Sequence, residues 1–206
     1  MQTVALIDYG SGNLHSAEKA LAHVAGRDAR ILVTSTPEVI AKADRIVLPG
    51  VGAFGACMTA LRARQGVIEA MTEAVHQKGR PFLGICVGMQ LLADRGLEYG
   101  EHNGLGWISG TVRALEAPGL KIPHMGWNEV RSSDHDIFPP DADAYFVHSY
   151  CFEAEDPAVV SATCTYGETF AAAVLDRNVA GVQFHPEKSQ AYGLNLLSRF
   201  LKWSPS

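Results

Sequence analysis

Five short, nearly continuous apolar runs constrain this chain most. They are Val4-Ala5-Leu6-Ile7, Ile31-Leu32-Val33, Ile46-Val47-Leu48, Phe82-Leu83-Gly84-Ile85 and Val179-Ala180-Gly181-Val182-Gln183-Phe184. Continuous rather than alternating apolar character marks strands covered on both faces. Helical patterns separate the first four runs. One covers Leu14 to Val24, after the glycine-rich turn Asp8-Tyr9-Gly10-Ser11-Gly12-Asn13. Another starts with Thr36 as N-cap and Pro37 at the first helical position. A third spans about Phe54 to Gln77, interrupted near Gly66. This alternation predicts an α/β fold, a mostly parallel sheet with helices on both faces.

The second half changes character. From Gly100 to Asp176 the segments are short, turn-punctuated and rich in β-branched and aromatic residues: Gly110–Arg113, Tyr145–His148, Val159–Ala162 and Phe170–Val174. They predict antiparallel strands that extend or flank the sheet. A closing helix is expected from about Gln190 to Lys202. With 206 residues and no repeat, low-complexity tract or linker, residues 1–206 read as a single domain.

Several function classes are disfavoured. No run of about eighteen apolar residues exists to span a bilayer, and the first residues do not fit a signal peptide. A net charge of −5 without a Lys/Arg-rich run argues against nucleic acid. The cysteines Cys57, Cys86, Cys151 and Cys164 lack zinc-site spacing, so no metal is expected. A reducing, cytoplasmic compartment with free thiols follows. Three of the four cysteines read as small buried hydrophobes.

Cys86 differs. Gly84-Ile85-Cys86-Val87-Gly88 is a G-x-C-x-G pattern between a strand and an expected helix, Met89–Ala93. This is a nucleophile elbow with Cys in place of Ser. Small residues on either side let strand and helix approach, the helix N-terminus favours thiolate, and the Val87 amide can face an oxyanion. Taken alone, the pattern also fits close helix packing around an inert thiol. A base decides between the two. His185-Pro186-Glu187 follows the last apolar run, and Pro186 pushes His185 into an extended conformation. Residues two apart in an extended segment share a side, so Glu187 can hold one imidazole nitrogen while the other faces the thiol. His15, His23, His76, His102 and His135 read as surface residues, and His124 and His148 stay open.

Pro49-Gly50-Val51-Gly52 follows another strand, and its amides can supply a second oxyanion donor. Val51 is β-branched and resists positive φ. An amide turned to the oxyanion there needs an unusual peptide orientation, which predicts an incomplete oxyanion hole at rest.

With these pieces the chain resembles the class I (triad) glutamine amidotransferases, and within them the glutaminase subunits of imidazole glycerol phosphate synthase. The class-wide residues are Gly84–Gln90 and His185–Glu187. The narrower ones are Asp8–Asn13, Pro49–Phe54, Ile122–Asn128 and Tyr145–Tyr150. The matches run from residue 8 to 188. The resemblance implies a flavodoxin-like α/β domain with an added antiparallel section and a Cys86–His185–Glu187 triad. It also implies oxyanion donors at Val51 or Gly52 and at Val87, with L-glutamine held by Gln90, His148, Ser149 and Tyr150. It further implies a heterodimer with a (β/α)8-barrel cyclase that takes up ammonia and forms imidazole glycerol phosphate and AICAR, with Asn13, His124, Met125, Trp127 and Asn128 facing that partner. Met125 and Trp127 read equally well as ordinary core or loop hydrophobes. The chemistry requires no metal or organic cofactor.

Three alternatives remain at this level. One is the same triad serving another amidotransferase pathway. A second is an elbow-Cys hydrolase, in which the acid usually precedes the His. A third is a nucleotide-binding module begun by Gly10-Ser11-Gly12, weakened because His15 stands at the sixth position.

Overall fold

The computed structural model describes residues 1–132 and 136–205. Among them, the strands in chain order are β1 (Gln2–Ile7), β2 (Ala29–Thr34), β3 (Arg45–Gly50), β4 (Phe82–Cys86), β5 (Arg95–Gly96), β6 (His102–Asn103), β7 (Gly110–Ala114), β8 (His124–Ser132), β9 (Ala142–His148), β10 (Tyr150–Ala154), β11 (Val160–Tyr166), β12 (Glu168–Asp176) and β13 (Val179–Val182). The helices are α1 (Leu14–Ala25), α2 (Pro37–Ile40), α3 (Phe54–Arg62), α4 (Val67–Thr72), α5 (Val87–Gln90) and α6 (Gln190–Lys202). Among the described residues, no helix is long and apolar enough to cross a membrane.

All five apolar runs form the expected strands. They pair in the parallel order β2-β1-β3-β4-β13. That is the flavodoxin-like 2-1-3-4-5 order, in which ligands sit beyond the carboxyl ends of the strands. The loops after β1, β3, β4 and β13 therefore converge on one edge. The Phe54–Gln77 pattern breaks where expected, at Gly66 (φ 78), and ends in a π-turn over Glu73–Gln77. Thr36 does precede Pro37 at the start of α2, but its side chain makes no capping bond.

Two expectations change. The helix after Cys86 is only Val87–Gln90 and does not reach Ala93. The carbonyls of Leu91, Leu92 and Ala93 accept instead from the amides of Leu105 (2.8 Å), Trp107 (2.9 Å) and Gly106 (3.0 Å), so another segment ends the helix. The last parallel strand stops at Val182, which leaves Gln183 to His185 in the segment beyond it.

The antiparallel segments both extend and flank. β12, β11, β8 and β9 continue the large sheet from β13, whereas β10, β7, β5 and β6 make a separate four-stranded sheet. The chain passes from one sheet to the other at Ser149, between β9 and β10. Strand β8 went unread because Gly126 and polar residues interrupt its apolar content. Its alternation puts His124 and Val130 on the buried face and Met125, Trp127 and Glu129 on the exposed one. It pairs His124 with His148 and Trp127 with Tyr145.

Candidate active site

Cys86 ends β4 with φ 55 and ψ −114. Positive φ strains a non-glycine residue and persists only where the surroundings enforce it. Here neighbouring glycines permit the approach. A Cβ on Gly88 would lie 1.8 Å from the Leu48 carbonyl oxygen, and one on Gly84 would lie 2.5 Å from that of Gly88. The helix beyond is a single short one, so any dipole effect is confined to its first amides. Val87 opens it, and its N–H has no intrahelical acceptor.

His185 is extended (φ −100, ψ 99) before Pro186, as expected. The link to Glu187 is made differently, because Pro186–Lys188 is a 3-10 turn and not a continued strand. That turn brings Glu187 Oε1 to 2.7 Å from His185 Nδ1, with both side chains 1% exposed. A carboxylate only accepts, so Nδ1 carries the proton. The opposite nitrogen, His185 Nε2, is buried without a hydrogen-bond partner. Strand β9 and the residue before α6 steady this segment: the His185 amide donates to the Tyr145 carbonyl at 2.9 Å, and Ser189 Oγ donates to the His185 carbonyl at 2.7 Å. Burial alone would depress the imidazole pKa. The neighbouring Cys86 sulfur and the Glu187 carboxylate outweigh burial and hold it up at about 9.

Asn13 reaches the same carboxylate. It stands in left-handed conformation (φ 67) before α1, and its amide donates to Glu187 Oε1. The resemblance directs Asn13 toward a partner; its side chain also reaches the triad carboxylate.

Beyond β3, the Val51 N–H donates to Ser11 Oγ at 3.0 Å, and Cys57 Sγ donates to the Val51 carbonyl at 3.4 Å. The Tyr9 hydroxyl donates to the Pro49 carbonyl at 2.8 Å. Val51 avoids positive φ, which falls on Gly52 at 104. The Val51 amide is therefore committed to Ser11.

A cavity of about 240 Å³ joins these parts. It lies below the about 300–1,000 Å³ of drug-sized sites and suits a small polar ligand. Cys86, His185, Val51, Gly52 and Val87 line it, together with Gln90, His148, Ser149 and Tyr150. Glu98, Pro123 and Val147 also line it and were missed by sequence reasoning. Gln90 Nε2 donates to the Tyr150 carbonyl at 2.9 Å.

His148 is part of a chain of neutral rings. Its Nδ1–H donates to the Tyr150 carbonyl (2.9 Å), so its Nε2 accepts from His124 Nδ1 (2.9 Å). His124 Nε2 then accepts from Asn128 Nδ2 (3.2 Å). His124 stacks on Phe146 and Tyr166. Burial pushes both imidazoles down to about 4, which keeps them uncharged. Within the segment expected to face a partner, His124 is buried, while Met125 and Trp127 are 62% and 48% exposed. Of the five histidines read as surface residues, His15, His23 and His76 are exposed, His102 is half-buried against Gly55, and His135 lies outside the described residues.

The family model for class I glutamine amidotransferase matches residues 5–203. The chain belongs to that family. The imidazole glycerol phosphate synthase subunit HisH of Caulobacter vibrioides is 56% identical, with 100% of both chains covered. That of Zymomonas mobilis subsp. mobilis is 54% identical over 98% of this chain and 97% of its own. A crystal structure of a glutamine amidotransferase superposes with a TM-score of 0.75 at 20% identity, covering 97% of each chain, and shows the shared fold.

Within this amidotransferase, sequence reasoning missed Gln183 as well as the extra wall residues. Gln183 is 0% exposed and lies beside Cys86 and Gln90. The available signal was one amide inside an otherwise apolar run.

Proposed function

We propose that this chain is the glutaminase subunit of imidazole glycerol phosphate synthase, acting in histidine biosynthesis through Cys86, His185 and Glu187. One observation carries the assignment of roles. His185 Nε2 is buried and unpartnered beside the Cys86 sulfur, while Nδ1 is fixed on Glu187. Buried polar atoms are normally bonded, so such a nitrogen marks a place where a proton is exchanged.

In this reading the Cys86 thiolate attacks the side-chain amide carbon of L-glutamine. The C–S bond forms as the carbonyl electrons move to oxygen. Collapse breaks the C–N bond, and the His185 imidazolium supplies the proton that releases ammonia. His185 then takes a proton from water, the hydroxide adds to the thioester, and C–S cleavage returns glutamate and thiolate. Glu98, which lines the cavity, suits an α-ammonium group, and Gln90, His148, Ser149 and Tyr150 line it as well.

The oxyanion is held by the Val87 amide and by an amide of the Val51–Gly52 loop. Val51 N–H is tied to Ser11, which takes that amide out of the resting hole. One such donor is worth about 3–4 kcal/mol of barrier, enough to switch turnover when a partner realigns the loop. A (β/α)8-barrel cyclase is that partner, in a heterodimer, and forms imidazole glycerol phosphate and AICAR from the ammonia it receives. Exposed Leu120, Ile122, Met125 and Trp127 offer an apolar surface for docking. Free ammonia in water becomes ammonium at neutral pH, and direct transfer avoids that loss. A cytoplasmic location agrees with four free cysteines.

The test is glutamate release by the chain alone, with the barrel cyclase, and with the cyclase plus its nucleotide ligand. Strong stimulation by the last combination is expected. A rate equal in all three, or stimulation only by an unrelated acceptor enzyme, overturns the reading.

A further inference from the structure

Gln183 sits in an apolar run with no exposure to solvent. A buried amide without partners costs several kcal/mol, so its bonds need accounting. Its backbone N–H donates to the Ala172 carbonyl at 2.9 Å. For the side chain, the neighbouring amide fixes the orientation. Gln90 must present Nε2 to the Tyr150 carbonyl, because that oxygen only accepts. The second hydrogen of Gln90 Nε2 goes to Gln183 Oε1, at 2.9 Å. Gln183 Nε2 is thereby turned the other way, to 3.8 Å from Cys86 Sγ.

We infer that Gln183 is a positioning residue for the nucleophile, donating to the Cys86 sulfur with one end of its amide and anchoring Gln90 with the other. The inference rests on Cys86 being the nucleophile. The two protonation states of the sulfur have different partners. A thiol can donate to the Val147 carbonyl, 4.0 Å away, whereas a thiolate has no hydrogen to give and accepts from Gln183. The titratable groups around the sulfur are His185 beyond β13, Tyr9 beyond β1 and Cys57 on α3, with Glu98, His148 and Tyr150 lining the same cavity. Burial pushes Tyr9 and Cys57 up, so both stay neutral. Among the side chains of the described residues, the thiolate then has His185 as a cation beside it and Gln183 as a neutral donor. Unlike the imidazolium, that donor does not surrender its proton during turnover, so it can hold the sulfur in place through both half-reactions.

The experiment follows the rate of Cys86 alkylation by iodoacetamide against pH, in the full chain and in Gln183→Met, with Cys86→Ala as the blank. The Gln183→Met profile is expected to move to higher pH by about one unit, the size of one hydrogen bond to a charged group. A profile superimposing on the parent's overturns the inference. A second measurement needs no change at residue 183. The side-chain amide proton of Gln183, followed by NMR in the unsubstituted chain, is expected to shift with the same midpoint as alkylation and to lose that shift in Cys86→Ala. A signal that stays flat through the alkylation midpoint also overturns the inference. Glutamate release by Cys86→Ala separates the two levels. If that variant still turns over, the nucleophile assignment itself fails. If it is dead and the Gln183→Met profile is unmoved, only the role of Gln183 fails.

Discussion

The parallel and antiparallel halves of the sheet contribute to the site by different means. The parallel half positions atoms with its backbone. Cys86 is turned outward by φ 55 at the end of β4, and the loops after β1 and β3 arrive at the same edge. The antiparallel half works through side chains. The chain from Asn128 through His124 and His148 to the Tyr150 carbonyl stiffens the pocket wall without lending it charge. The turn at Cys86 is thus fixed by local geometry, whereas the substrate wall is fixed by contacts between strands.

The sharpest way to break this contrast is to remove the charge behind His185. Glu187→Gln is expected to lower glutaminase kcat by about 10³–10⁴-fold, measured in the activated complex. The pH profile should move with it. His185, held at about 9 by Cys86 and Glu187, keeps its proton below that value and loses it above. Without the carboxylate the alkaline limb shifts to lower pH. Gly88→Ala attacks the backbone side of the comparison. Its Cβ meets the Leu48 oxygen at 1.8 Å, and a loss of roughly 3–5 kcal/mol in urea unfolding is expected, because neither backbone can yield. Val51→Gly relieves the β-branched restriction beside Gly52. Its unstimulated glutamate release should rise by about ten-fold, a part of the value of one oxyanion donor, and an unchanged basal rate would count against a gated hole.

The smallest effect belongs to the antiparallel half. His124 and His148 have folded pKa values of about 4, below the ordinary 6.5. Their contribution to stability is present above pH 6.5 and is lost as pH falls through 4, because the unfolded chain binds protons first. Each histidine adds at most about 1.4 kcal/mol per pH unit to that slope. His124→Phe should flatten it in urea unfolding series between pH 7 and pH 4; an unaltered slope would mean the pair is not held neutral by burial.

The two halves also differed in how far they could be read. The five parallel strands and the elbow were legible because each is specified by a few adjacent residues, such as Gly84 and Gly88 around Cys86 and Pro186 after His185. The helix after the elbow was overestimated, since Leu91–Ala93 is apolar enough to continue it and only the distant amides of residues 105–107 end it. Asn13 lies 174 positions from Glu187, and Gln183 lies 97 from Cys86. No local pattern announces such pairs. Strand β8 was missed for a related reason: its inward face carries a histidine and an asparagine whose partners come from other strands.

One short loop touches both ends of the catalytic apparatus. Ser11 grips the amide of Val51, and two residues later Asn13 grips the carboxylate behind His185. A displacement of this loop is therefore transmitted to the anion cradle and to the proton donor at once. A docking protein need press on only one lever to ready both, and the cradle should not be released without the imidazole registering it.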